Sequence, residues 1–202
     1  MVKVMKYQLQ YLQGSGDFYE MQNVLWMLQR QTREILNRTI QECCKWEWKK
    51  EKDYPDISGR EALKIETGYG RLDGYIYHVL KPQYSDIYSG NANATIQKAC
   101  KKYKSIKKEV LKGTASIPSY KKDQPLILCN KALKIAPSET GWDAKISLFS
   151  NEYKKTKNRD SSLQFQIKAK DKSQKHILEQ ICSGVYTIGE SQIVYEKKKW
   201  ML

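Results

Sequence analysis

The chain has 202 residues and carries 36 Lys and Arg against 22 Asp and Glu, a formal charge of +14. That length buries a core without borrowed staples, and the positive excess attracts nucleic acid or an anionic membrane surface. No run of about 18 apolar residues exists for a membrane span, and the N-terminal MVKVMKYQLQYL alternates like a strand instead of forming a signal-peptide core, so a soluble cytoplasmic protein with no membrane partner is expected.

In chain order, Val2 and Val4 alternate with Lys3, and Met5, Tyr7 and Leu9 with Lys6 and Gln8, which predicts a strand with a register shift. Gly14-Ser15-Gly16 reads as a hinge, and Asp17 with Glu20 as a helix start. Met21, Val24, Leu25, Leu28, Ile35, Leu36 and Thr39 then hold a helical stripe to about Trp48, with Arg30, Arg33 and Arg38 along it. Lys49 to Pro55 reads as a charged loop. Ser58 and Glu61 cap a short helix ending near Gly68, and a further helix from about Asp73 is divided by Pro82. Tyr69, Tyr75, Tyr77, Tyr84 and Tyr88 are dense here, a spacing that suits a core or interface.

Ser89-Gly90-Asn91 opens the most basic segment. Lys98, Lys101, Lys102, Lys104, Lys107, Lys108 and Lys112 fall on a stretch whose Ile96, Ala99, Cys100, Tyr103, Ile106 and Val110 recur at helical spacing. One face is therefore buried and the other densely cationic, which suits a polyanion. Gly113 terminates this helix, and GTASIPSY leads to Tyr120, Lys121 and Lys122, a ring for stacking beside charge for phosphates.

Beyond Pro118 the apolar period becomes two. Leu126 and Leu128; Trp142, Ala144, Ile146 and Leu148; and Leu163, Phe165, Ile167 and Ala169 alternate with polar residues as half-buried antiparallel strands do. A short helix near Ser173 to Cys182 follows, then strands at Val185 to Ile188, Gln192 to Tyr195 and Lys199 to Leu202. The first strand lacks a neighbour in sequence and belongs in the same sheet. The expected fold is α+β, a small β-barrel with an inserted helical block over about residues 17 to 112. The apolar end at Lys199–Leu202 reads as an edge strand or as a cut within a longer protein.

Catalytic constellations are harder to find. Cys43, Cys44, Cys100, Cys129 and Cys182 contain no CxxC pair and have only His78 and His176 to assist, so neither a zinc site nor a disulfide framework is expected. Asp53, Asp56 and Glu61 fit a loop and a cap better than a Mg²⁺ site, and no phosphate-cradling glycine loop precedes a Lys-Ser or Lys-Thr. Binding is better supported. Asn91, Asn93, Thr95 and Gln97 sit at the start of the basic helix, where N–H groups favour phosphate and amides can read base edges. The bland alternative is that Asn91 or Asn93 caps that helix.

YIYHVLK (75–81), SGNANATI (89–96), KKYKSIKKEVLKG (101–113), SIPSYKKDQPL (116–126), SGVYTIGESQIVYEKKKWML (183–202) and TREILNRT (32–39) resemble the N-terminal half of miniature type V-F CRISPR effectors, RNA-guided nucleases related to transposon-encoded TnpB. The resemblance implies an OB-like wedge β-barrel, residues 1–16 and 116–202, interrupted by a helical recognition domain, residues 17–115. It implies a prokaryotic cytoplasmic protein whose partners are guide RNA, double-stranded target DNA and a second copy in a homodimer. The RuvC nuclease portion is absent, so this chain is expected not to be an enzyme and to hold no cofactor, with Mg²⁺ confined to the missing part. Reading of the protospacer-adjacent motif falls to Asn91, Asn93, Thr95, Gln97 and Lys98, and phosphate contacts to Lys101, Lys102, Lys104 and Lys108. Tyr120, Lys121, Lys122, Gln192 and Tyr195 complete the expected nucleic-acid-binding set. A stand-alone basic RNA-binding or regulatory module is the competing expectation.

Overall fold

A computed structural model describes residues 4–11, 18–157 and 160–202. Strand β1 (Gln8–Tyr11) is followed by the long helix α1 (Phe18–Asp53), then α2 (Gly59–Thr67), α3 (Leu72–Leu80) and α4 (Ser89–Leu111). Strands β2 (Leu126–Leu128), β3 (Leu133–Ser138) and β4 (Gly141–Ser147) come next, then α5 (Asn151–Lys157), β5 (Ser162–Lys168), α6 (Lys172–Cys182), β6 (Ser191–Glu196) and β7 (Lys199–Met201). The hinge at Gly14–Gly16, the cap at Asp17 and the first residues of the expected N-terminal strand lie outside the described residues.

Helix α1 continues through the segment expected to be a charged loop. Lys, Glu and Trp are compatible with a helix, Lys50 and Lys52 suit the negative end of its dipole, and the stop comes just before Pro55. Ser58 accepts from the Glu61 N–H and caps α2, and Pro82 begins a short 3-10 turn (Lys81–Gln83) that ends α3, both as the sequence predicts. Helix α4 begins two residues before Asn91, with Tyr88 at its N-cap and no side-chain cap bond. Neither Asn91 nor Asn93 is the cap. Gly113, at φ 72, turns the chain out of α4 in a conformation that suits glycine.

The strands form one seven-stranded sheet in the order β2-β6-β7-β1-β5-β4-β3, with every pair antiparallel. The N-terminal strand enters this sheet between β7 and β5, as expected. The ladders leave β2 and β3 as two edges, so the sheet is open where a closed barrel is expected. One further expectation is corrected, and one strand is new. Val185 to Ile188 is not a strand: the Tyr186 N–H turns back to the Gln180 carbonyl at 3.1 Å, wrapping the end of α6. Conversely, Leu133–Ser138 is a strand despite Pro137, which an edge strand tolerates because its missing N–H costs no ladder bond.

Register explains which face is dry. Leu9 pairs with Ile167, Ala144 with Phe165 and Leu133 with Ile146, all buried on one face. Lys145, Gln164 and Lys168 point the other way and are exposed. Fully burying a side chain such as Phe165 or Ile167 contributes about 1.5–3 kcal/mol, which fixes the register against a one-residue slip. Helix α1 lies on the dry face, where Trp26 meets Tyr195 at 4.6 Å and Trp200 at 4.9 Å between ring centroids. The main core runs without a break from the sheet into α1, α3 and α4, while Trp46, Ala62 and Leu63 form a separate cluster under α2.

Candidate nucleic-acid interface

Helix α4 carries the densest charge on a defined face. Ala92, Thr95, Ile96, Ala99, Tyr103 and Val110 are buried, while Gln97, Lys101, Lys104, Lys108 and Lys112 are exposed. Three- and four-residue spacing places those four lysines in one row on the side away from the core. Lys102 is also exposed, on the flank of that row, and Lys98 is half-buried. Among the described residues, Lys98, Lys101, Lys102, Lys104, Lys108 and Lys112 have no carboxylate within ion-pair distance. Lys107 differs: it pairs with Glu47 of α1 at 3.1 Å and is spent on holding the two helices together.

Contacts fix α4 beside α1. Cys43 Sγ lies 3.7 Å from Cys100 Sγ, and Glu47 reaches Lys107. Positions advance together along both helices, so α1 and α4 run in the same direction. The hydrogen bond to Cys100 and burial push the Cys43 thiol far above its ordinary range, and burial raises Cys44 as well. Both are neutral thiols at pH 7, with little nucleophilic character. The cysteine that meets Cys43 is on another helix, a pairing that the adjacent Cys43-Cys44 does not reveal.

Two expected contacts at the start of α4 are interior residues. Asn91 is 5% exposed and Thr95 is 2% exposed. The Asn91 Nδ2 donates to the Ser147 carbonyl at 2.9 Å, and its Oδ1 accepts from the Cys129 N–H at 3.1 Å. Thr95 Oγ1 donates back to the Asn91 carbonyl at 2.7 Å. The Asn91 bonds tie α4 to the β2–β3 turn and to β4, and burial keeps both side chains away from a bound base. The joint is tight: a Cβ at Gly90 would sit 2.6 Å from Cys129 Sγ and 2.8 Å from the Tyr88 ring. Asn93, half-buried, and Gln97, exposed, remain on the accessible side.

The chain leaving α4 is anchored in a comparable way. Asn37 on α1 donates to the Tyr120 carbonyl at 3.1 Å and accepts from the Tyr120 N–H at 2.7 Å. Its amide replaces a peptide partner and pins the segment. The Tyr120 ring packs against the core instead of offering a free stacking face, and burial, with smaller effects from Cys100 and Cys43, raises its hydroxyl above the ordinary range. Lys121 and Lys122 stay exposed. They follow directly on Tyr120, whose hydroxyl lies near Cys100 of α4. Tyr195 is likewise a half-buried ring, clustered with Trp26 and Trp200. Gln192 is half-buried, paired in register with Ile127.

Arg38 lies close enough to the Tyr84 hydroxyl to influence it and is exposed, as Arg30 is. His78 is exposed against Tyr69, with ring centroids 5.5 Å apart. Among the described residues, no three of the His, Cys, Asp and Glu side chains gather as a metal-holding group, and no helix is long and apolar enough to cross a membrane. The arrangement offers a positive helix face, a pinned basic segment at its flank and polar side chains near its first turns. It can hold a polyanion along its backbone and reach its edges with amides.

No family model matches the chain. It is 35% identical over 207 residues to the CRISPR-associated endodeoxyribonuclease Cas12f1 of Sulfoacidibacillus thermotolerans, a match covering 100% of this chain and 48% of that protein. The chain thus spans about half the length of the curated relative it matches, and corresponds to its N-terminal half.

Proposed function

We propose, for a chain that belongs to the type V-F CRISPR nucleases as a match to the N-terminal half of Cas12f1, that its work is to hold guide RNA and engage duplex DNA at a protospacer-adjacent motif. In this reading the bond-breaking groups lie outside the chain, which is itself without catalytic activity. Residues 17–115 act as the recognition domain and residues 1–16 with 116–202 as the wedge. The wedge would be an OB-like unit built on the seven-stranded sheet, and a second copy would join around one guide.

The observation that carries this reading is the unpaired lysine row of α4, which projects from a rigid, core-anchored helix. Lysines arranged along one face neutralise successive phosphates and release counterions, giving affinity without sequence preference. Sequence preference needs contacts to base edges. Asn93 and Gln97 are the accessible amides on the first turns of α4, and amide side chains suit adenine in the major groove. Asn91 acts one step back, fixing the angle at which α4 leaves the sheet. Guide pairing would read the remaining target sequence, with the protein reading a short duplex element and RNA shape.

Asn93→Ala and Gln97→Ala separate motif reading from general attraction. Binding is measured across a library of duplexes randomised over several adjacent base pairs, with the guide-loaded protein. The expected result is a relaxed preference at one position, worth about 1–3 kcal/mol of discrimination per lost bidentate contact, with weak-site affinity nearly unchanged. An equal loss on every duplex would remove both residues from motif reading.

A further inference from the structure

The segment 112–125 joins the end of α4 to β2 and has no helix or strand of its own. It carries Lys121 and Lys122, both exposed and without a carboxylate partner among the described residues. Its first residues stay with α4, where the N–H of Gly113 donates to the Val110 carbonyl and those of Thr114 and Ala115 donate to the Glu109 carbonyl. Beyond that point support is sparse. Among the described residues, the only hydrogen bonds made by residues 116–124 are the two between the Tyr120 backbone and the Asn37 amide.

Both bonds fall on one residue. Asn37 Nδ2 donates to the Tyr120 carbonyl at 3.1 Å and Oδ1 accepts from the Tyr120 N–H at 2.7 Å, as the opposite residue does in a hydrogen-bonded antiparallel pair. Asn37 lies in the interior of α1, where an asparagine is a weak helix former because its amide competes for backbone groups. Here the amide serves a distant segment instead of its own helix. The Tyr120 ring supplies a second hold, packed against the core near Cys100 and Cys43. Lys121 is one peptide beyond this pinned residue.

We infer that Asn37 is a positioning residue for nucleic-acid binding: it fixes the Tyr120 backbone so that Lys121 and Lys122 are in place before a phosphate arrives. A lysine on a loose tether has to be ordered on binding, and that ordering subtracts from affinity. Two hydrogen bonds to α1, a helix buried along Ile35, Leu36, Thr39 and Ile40, complete much of the ordering in advance. Asn37 itself touches no phosphate and acts through the two lysines. The inference rests on the nucleic-acid reading above, and gives a role to an α1 side chain outside the contact set.

The test is a double-mutant cycle on the full chain, read by fluorescence anisotropy with a labelled mixed-sequence duplex DNA. Asn37→Ala should weaken binding about tenfold, from the ordering of two lysine side chains, and no more than the double variant Lys121→Gln, Lys122→Gln does. Adding Asn37→Ala to that double variant should change affinity less than about twofold, because the groups through which it acts are gone. Hydrogen exchange should quicken at residues 116–124 wherever Asn37→Ala is present, and not in the lysine variant. Pro118→Gly loosens the segment without touching α1, and should weaken duplex binding in the same lysine-dependent way. An equal loss from Asn37→Ala with and without the lysines overturns the inference. So does unchanged duplex affinity in Asn37→Ala or Pro118→Gly despite faster exchange at 116–124. A silent lysine double variant, with affinity lost on changing the α4 row, refutes the inference and leaves the guide-and-motif reading standing. If both sets of lysines are silent, that reading fails and the role of Asn37 with it.

Discussion

Changing Lys101, Lys104, Lys108 and Lys112 together to Gln is expected to flatten the salt dependence of duplex binding by about 0.9 log unit for each lost phosphate contact. With all four in contact, raising salt from 50 to 200 mM should weaken the unmodified protein about 100-fold more than the variant. Loss of fold cannot account for this. The four residues are exposed, form no ion pair among the described residues and repel one another at helical spacing. The variant should therefore be at least as stable as the parent by thermal melting. An unchanged slope in a folded variant would mean that the row faces only solvent. Lys107→Gln is the internal contrast: it breaks the pair with Glu47 and should affect helix packing more than salt slope.

The second large effect concerns Asn91. Asn91→Ala removes the donor to the Ser147 carbonyl and the acceptor for the Cys129 N–H, both at a joint closed to water. Leaving two such groups unmatched costs about 2–4 kcal/mol, and in a domain of this size that lowers Tm by about 4–16 °C. Asn91→Asp keeps the acceptor but places a carboxylate in a 5% exposed site facing a carbonyl, and should be no better tolerated. Thermal melting and duplex binding by the still-folded fraction distinguish a joint residue from a reading residue. A normal Tm with lost motif preference would return Asn91 to the contact surface.

Periodicity revealed the parts of the molecule that depend on one face being dry. The α4 stripe through Ile96, Ala99, Tyr103 and Val110, and the alternation Leu163, Phe165, Ile167, both correspond to buried faces. The N-terminal strand's place in the distant sheet followed from its need for a partner, and β5 and β7 supply it. Pro137 concealed β3 because its restriction argues against strand unless the strand is known to be an edge. The short α5 offers one buried residue, Tyr153, too little for a period. The candidate site was legible in its charge but not in its polar groups. A long-range bond such as Asn91 to Ser147, or Asn37 to Tyr120, leaves no local pattern, so an amide at a helix start looks like a ligand contact whether or not the fold consumes it. The same applies to Tyr195, whose partners Trp26 and Trp200 come from separate elements.

The central claim is that nucleic acid lies along the exposed face of α4 and the basic segment at its flank. Lysine acetylation footprinting, read by mass spectrometry with and without bound duplex, tests it residue by residue. Protection concentrated on Lys101, Lys104, Lys108, Lys112, Lys121 and Lys122, with Lys64 and Lys81 still modified, is the predicted result. Protection spread evenly over all surface lysines, or missing from α4 while binding persists, would contradict it.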